Sequence, residues 1–170
     1  MTQPLRIVRV SSRIVLNQSE RVGTWMQERG SGTYHPRVQC IGYERDGQLV
    51  AGVMYECWNE ASLWIHVAGE GANWLTREFL RVAFDYPFGQ LKAKVLVGLG
   101  PERNEKARKF DEHLGFKYLG RIPDGHKDGD LLIYTMRRDE CRSLEKRREQ
   151  RQERRLDQTP PPAARPLGLA

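Results

Sequence analysis

Three side chains able to move a proton stand on stretches that are otherwise apolar. His66 interrupts Leu63, Ile65, Val67 and Ala68; Glu56 follows Tyr55; Tyr134 follows Leu131, Leu132 and Ile133. An imidazole changes charge near neutral pH, so His66 suits proton removal. A carboxylate such as Glu56 does the same directly or through a water, and a phenol such as Tyr134 can return a proton to a leaving group. Each also has an ordinary reading: a sheet histidine, an edge-strand charge, a packed core tyrosine. Tyr34 and His35 precede Pro36 and by themselves read as loop residues. Asn104 opens the charged run NEKARKFDEHLGF, where its amide either caps a helix or holds a ligand. His113, late in that run, and His126, in a hairpin loop, are the remaining histidines.

Positioning these groups takes a mixed set of elements. Residues 5–16 alternate polar and apolar and read as a first strand. Asn17 or Ser19 is placed to cap a helix that carries Val22, Trp25 and Met26 and stops at Gly30. Residues 38–44 and 49–58 read as strands joined at Asp46-Gly47, a strong hairpin signal, and residues 63–68 as a fourth strand. A helix is expected from Ala72, with Leu75, Phe79, Val82 and Tyr86 on one face and Pro87 and Gly89 at its stop. Residues 93–99 read as a central strand. Ala107, Phe110 and Leu114 then share a helix face that ends at Gly115, in a left-handed conformation, with Phe116 folding back over the last turn. Residues 116–122 and 131–136 make a final hairpin around residues 124–129. The order is β, α, β-β-β, α, β, α, β-β.

The chain has 170 residues and a formal net charge of +6. Residues 1–138 read as one folded domain, 139–157 as a charged helical extension, and 158–170 as a disordered, proline-rich tail. From Arg137 onward there are ten basic and six acidic residues, a net +4 that leaves +2 for the rest. An excess of base suits a polyanionic partner such as nucleic acid, while the alternating signs equally describe a salt-bridged, solvated helix. Cys40, Cys57 and Cys141 fit no disulfide framework or metal spacing and suggest a reducing compartment; no metal is expected. No apolar run approaches the roughly 20 residues of a membrane span. The N-terminus alternates Arg and Val without the apolar centre of a signal peptide. The expectation is a soluble, cytoplasmic protein with no membrane partner.

Asn104-x-x-Ala107-x-x-Phe110-x-x-x-Leu114-Gly115-Phe116 resembles the motif of the GNAT superfamily of CoA-dependent N-acyltransferases, and the element order over residues 5–138 is similar to that family's. The resemblance implies an α+β fold: a mixed, mostly antiparallel sheet of about six or seven strands flanked by helices, with its fourth and fifth strands splayed apart. It also implies acetyl-CoA as co-substrate. The stretch His66-Val67-Ala68-Gly69-Glu70-Gly71-Ala72 matches the family's loop, whose backbone N–H groups bind the pyrophosphate as helix N-termini do. Val67, Ala68, Gly69, Gly71, Ala72 and Asn73 are the cofactor-binding residues so implied. Asn104 would touch the pantetheine arm, and Arg108, beside Arg103, Lys106 and Lys109, the adenosine 3′-phosphate. His66 stands where the family has Arg or Gln, and Glu70 adds negative charge near the phosphates.

Acetyl transfer to an amine needs a base, a polarised thioester and an acid for the departing thiolate. On the resemblance, His66 and Glu56 are the candidates for the base, and Tyr34 and His35 lie where the substrate enters. The family's acid, a tyrosine, is replaced by Asp111, a carboxyl that donates a proton only if burial raises its pKa; Tyr134 is the substitute. The chain thus resembles a small acetyl-CoA-dependent N-acetyltransferase. Phe84-Asp85-Tyr86-Pro87-Phe88 and Met136-Arg137-Arg138-Asp139-Glu140-Cys141-Arg142 are similar to small phage-encoded members, some of which modify DNA bases. An amine on nucleic acid is therefore the expected acceptor, with a protein or small amine, or a non-catalytic GNAT-fold binding module, as the alternatives. Strands zipped along their length, with Trp74 plugging the gap, would defeat the reading.

Overall fold

The computed structural model describes residues 12–144. The expected tail 158–170, residues 145–157 of the expected extension and the start of the expected first strand lie outside them. Among the described residues seven strands and three α-helices follow in the order β1 (Ser12–Val15), α1 (Ser19–Gln27), β2 (Gln39–Arg45), β3 (Gln48–Glu56), β4 (Ser62–Gly69), α2 (Arg77–Asp85), β5 (Val95–Pro101), α3 (Glu105–Leu114), β6 (Lys117–His126) and β7 (Gly129–Arg137). The sheet order is β1-β2-β3-β4-β5-β7-β6. Every neighbouring pair is antiparallel except β4 and β5, which are parallel.

The helices cover opposite faces. On one, α1 lays Val22 and Met26 against Gly42 and Gly52 so closely that a Cβ at Gly52 would stand 2.9 Å from Met26. On the other, α2 buries Phe79, Ala83 and Phe84, and the Tyr55 hydroxyl donates to the Ala83 carbonyl at 2.6 Å. Phe110 and Leu114 of α3 join Phe116, Leu132, Tyr134 and Met136 in the same core. At the β2–β3 turn Asp46 and Gly47 take φ values of 51° and 80°, the conformation that an Asp-Gly hairpin demands.

Several boundaries differ from expectation. Neither Asn17 nor Ser19 caps α1; the Ser19 hydroxyl instead accepts from the Cys40 N–H at 3.0 Å, tying the helix to β2. The second helix starts at Arg77 rather than Ala72. Gly71 and Asn73 hold φ near 70° and 63°, which a right-handed helix excludes, and the Thr76 hydroxyl caps the helix by accepting from the Phe79 N–H at 3.1 Å. Pro87 and Gly89 do not stop the chain there but lie inside a wide π-type turn, Tyr86–Gln90. His126 ends β6 rather than sitting in a loop. Beyond Arg138, Cys141 and Leu144 are buried in the main core, so the packed unit continues past residue 138. Among the described residues no helix is long and apolar enough to cross a membrane.

Candidate active site at the strand fork

β4 and β5 pair only at Ser62–Val95, Leu63–Leu96 and Trp64–Val97. Beyond that point β4 continues to Gly69 and β5 to Pro101 without pairing to each other, so the two strands part. Gly98 and Gly100 line the β5 side of the fork. The register with β3, together with the Glu70 N–H donating to the Val50 carbonyl at 2.9 Å, sets which way the β4 backbone faces. Residues of an antiparallel strand alternate in direction, so Val67 and Gly69 turn their N–H and C=O groups into the fork, while His66 and Ala68 turn theirs to β3. The Ser31 hydroxyl donates to the Val67 carbonyl at 3.0 Å. Sequence reasoning gave Ser31 no role, and a Gly-Ser-Gly loop carries no signal for one.

On the α1 face, side chains at alternate positions bring His66, Glu56 and Trp64 together beside the fork. His66 Nε2 lies 2.6 Å from one Glu56 oxygen, and His35 Nε2 lies 3.6 Å from the other. One carboxylate therefore bridges two imidazoles, and His66 Nδ1 makes no hydrogen bond among the described residues. Gly32 lies over this pair: its φ is +78°, and a Cβ there would meet Met54 Sδ at 2.8 Å and His66 Cγ at 3.3 Å. Tyr34 does not join the cluster. Its ring packs on α1 at Gly23, where a Cβ would stand 2.4 Å away. Among the described residues no group of three His, Cys, Asp or Glu side chains is arranged to hold a metal ion.

On the opposite face stand the loop after β4 and the start of α3. Glu70 is drawn toward α1, where Arg29, itself stacked 3.9 Å over the Trp25 ring, pairs with it at 2.8 Å. Gly71, Ala72 and Asn73 are exposed, and Arg45 donates to the carbonyls of Ala72 at 3.3 Å and Asn73 at 2.7 Å. The Asn104 amide oxygen accepts from the Ala107 N–H at 3.0 Å, so it is the cap of α3. At the other end Gly115 takes φ 114°, as the Leu-Gly-Phe run requires. Tyr134 is 2% exposed and stands across from Gly98, the first β5 residue past the fork. Arg108 lies close enough to Tyr134 for the two to interact, and its Nε is shut off from solvent without a partner. Burial, with the Glu112 charge second, pushes the Asp111 carboxyl up to about 6.

The Trp74 ring stands where the fork opens on this face. It covers Gly69 so closely that a Cβ there would lie 2.1 Å from the indole, and it meets Phe79 of α2 at 6.5 Å and Phe110 of α3 at 5.7 Å between ring centroids. The strands part as expected, but the indole bridges the two helices above them.

No protein-family model and no curated protein matches the chain. Solved structures do. A spermidine/spermine N-acetyltransferase from Vibrio cholerae, solved as mutant forms, superposes with a TM-score of 0.60 at 13% identity, over 77% of this chain and 95% of that one. The ribosomal-protein-S18-alanine N-acetyltransferase from Escherichia coli gives 0.55 at 12%, over 75% and 94%. A Salmonella typhimurium protein described as an acetyltransferase, solved with its cofactor acetyl-CoA, gives 0.55 at 12%, over 74% and 93%. The mixed seven-stranded fold of this chain is the fold of these acetyltransferases, as the motif from Asn104 to Phe116 implied.

Proposed function

We propose that this chain is an acetyl-CoA-dependent N-acetyltransferase acting on a primary amine. The observation that carries the reading is the fork: two parallel strands part after three pairs, with a His66–Glu56 pair on one face and a capped, basic helix start on the other. Several features fit a nucleotide-tailed thiol carrier. The Val67 N–H and the Gly69 backbone face the fork, the loop at Gly71, Ala72 and Asn73 is exposed before the start of α2, and Arg108 Nε lacks a partner. Exposed amides before a helix favour phosphate, and Arg103, Lys106 and Lys109 add positive charge beside α3.

In this reading the acceptor amine approaches from the α1 face. His66 donates Nε2–H to Glu56, which leaves the Nδ1 lone pair to take the amine's proton. The amine nitrogen attacks the thioester carbonyl; the C–N bond forms, the C–S bond breaks, and the thiolate leaves. It is protonated by Tyr134, which lies beside Arg108, or by Asp111 where that carboxyl holds its proton. The products are the acetamide and free CoA thiol.

Titration calorimetry with acetyl-CoA, followed by thiol release in the presence of a primary amine, tests this. Heat of binding and amine-dependent thiol release are the expected result. Binding without turnover would identify a non-catalytic module of the same fold, and no binding would end the reading. An amine borne on nucleic acid, as in DNA base hypermodification, is the acceptor favoured by the net charge of +6. Mass spectrometry of DNA from expressing cells would then show an added acetyl group.

A further inference from the structure

We infer that the group carrying the acceptor amine is aromatic or apolar and bears no second positive charge. This rests on the acetyltransferase reading above. Trp64 is the last β4 residue before the strands part, paired in register with Glu56 on β3 and Val97 on β5. Its side chain therefore stands on the same sheet face as Glu56 and His66, at the crotch of the fork, and it is 36% exposed. Val97 and Leu99 follow on that face of β5, both half-buried, while among the described residues the helix on this face, α1, makes its main contacts with β2 and β3. The floor in front of the His66–Glu56 pair is thus an indole and two aliphatic side chains.

That floor suits a planar or apolar body, which gains by stacking and by leaving water. It does not suit a polyamine. A chain of ammonium groups needs several uncommitted carboxylates, and Glu56, beside this floor, has one oxygen on His66 and the other facing His35. The net charge of +6 also repels a polycation at a distance.

The test compares 2-phenylethylamine with spermidine, reading CoA thiol release from acetyl-CoA by the full chain. The expected kcat/KM is about tenfold or more higher for 2-phenylethylamine. Trp64→Ala should lower that value about tenfold, chiefly by raising KM, with acetyl-CoA binding heat retained; Trp64→Phe should restore most of it. Equal or better use of spermidine, no use of either amine by a chain that binds acetyl-CoA, or a Trp64→Ala value equal to the parent's each overturns the inference and leaves acetyl-CoA binding untouched. Absence of acetyl-CoA binding overturns the underlying reading, and the inference with it.

Discussion

At the scale of single residues, the site turns on who holds a proton. In the proposed mechanism His66→Ala removes the nitrogen that would take it from the amine, and the expected loss is about 100-fold in kcat, with acetyl-CoA affinity changed by less than about twofold. Steady-state kinetics and calorimetry on one preparation separate the two; an unchanged kcat removes His66 from the chemistry. Asp111 poses the opposite question. Its carboxyl is raised from its usual 3.8 to about 6, by burial first and Glu112 second. A raised carboxyl favours the protonated fold. That contribution is fully present below about pH 4 and is lost as pH rises through about 6. Asp111→Asn, of the same shape and never charged, should therefore be more stable than the parent at pH 8, by up to about 3 kcal/mol, and equal to it near pH 4. Urea midpoints at the two pH values decide this. Retained kcat in the same variant would assign the thiolate's proton to Tyr134.

At the scale of elements, the question is how the fork opens on the side away from α1. The Trp74 indole joins Phe79 and Phe110 across it, so in the proposed reading a nucleotide-tailed arm moves that ring before it lies against Val67 and Gly69. Trp74→Ala is expected to tighten acetyl-CoA binding about tenfold while lowering the melting temperature by several degrees, since a large packed ring is lost. Weaker binding by calorimetry would instead make the ring part of the binding wall. Gly69→Ala acts on the same contact from below. Its backbone tolerates a side chain, but the new Cβ would fall 2.1 Å from the indole, so the ring has to leave. The elements themselves were largely legible beforehand, because their order, the Asp46-Gly47 turn, the Asn104 cap and the Gly115 stop are signalled by neighbouring residues. The start of α2 at Arg77, capped by Thr76, is not legible because the apolar spacing of Leu75 with Phe79 outweighs the left-handed conformations at Gly71 and Asn73. The clustering of His35 with Glu56 and His66, the Ser31 bond and the place of Trp74 depend on strand register and on loops far apart in the chain. Local periodicity does not encode such contacts.

At the scale of the whole molecule, the remaining issue is what the positive charge is for. Residues 145–170 hold seven basic and four acidic side chains, half of the net +6. The described core reaches Leu144, which is only 8% exposed, so a chain ending there keeps every described core residue, whereas one ending at Arg138 would lose Cys141 and Leu144. Within that unit, Glu44 is buried yet ionised. Burial pushes its carboxyl up, but hydrogen bonds from Arg21 and Arg13 more than offset this, so those two positive charges are committed to the fold. If the basic excess serves a polyanionic acceptor, half of it lies in residues 145–170. Duplex DNA affinity should then fall steeply between 50 and 200 mM salt for the full chain, in proportion to the phosphates neutralised. The chain ending at Leu144 should bind about tenfold more weakly at the lower salt and show a shallower slope, while its acetylation of a free small amine stays that of the full chain. Fluorescence anisotropy with a labelled duplex reads the first two and thiol release the third. Equal affinity and slope in the two chains would leave the terminal charge without a nucleic-acid role, and the alternating signs would then serve only to keep that segment solvated.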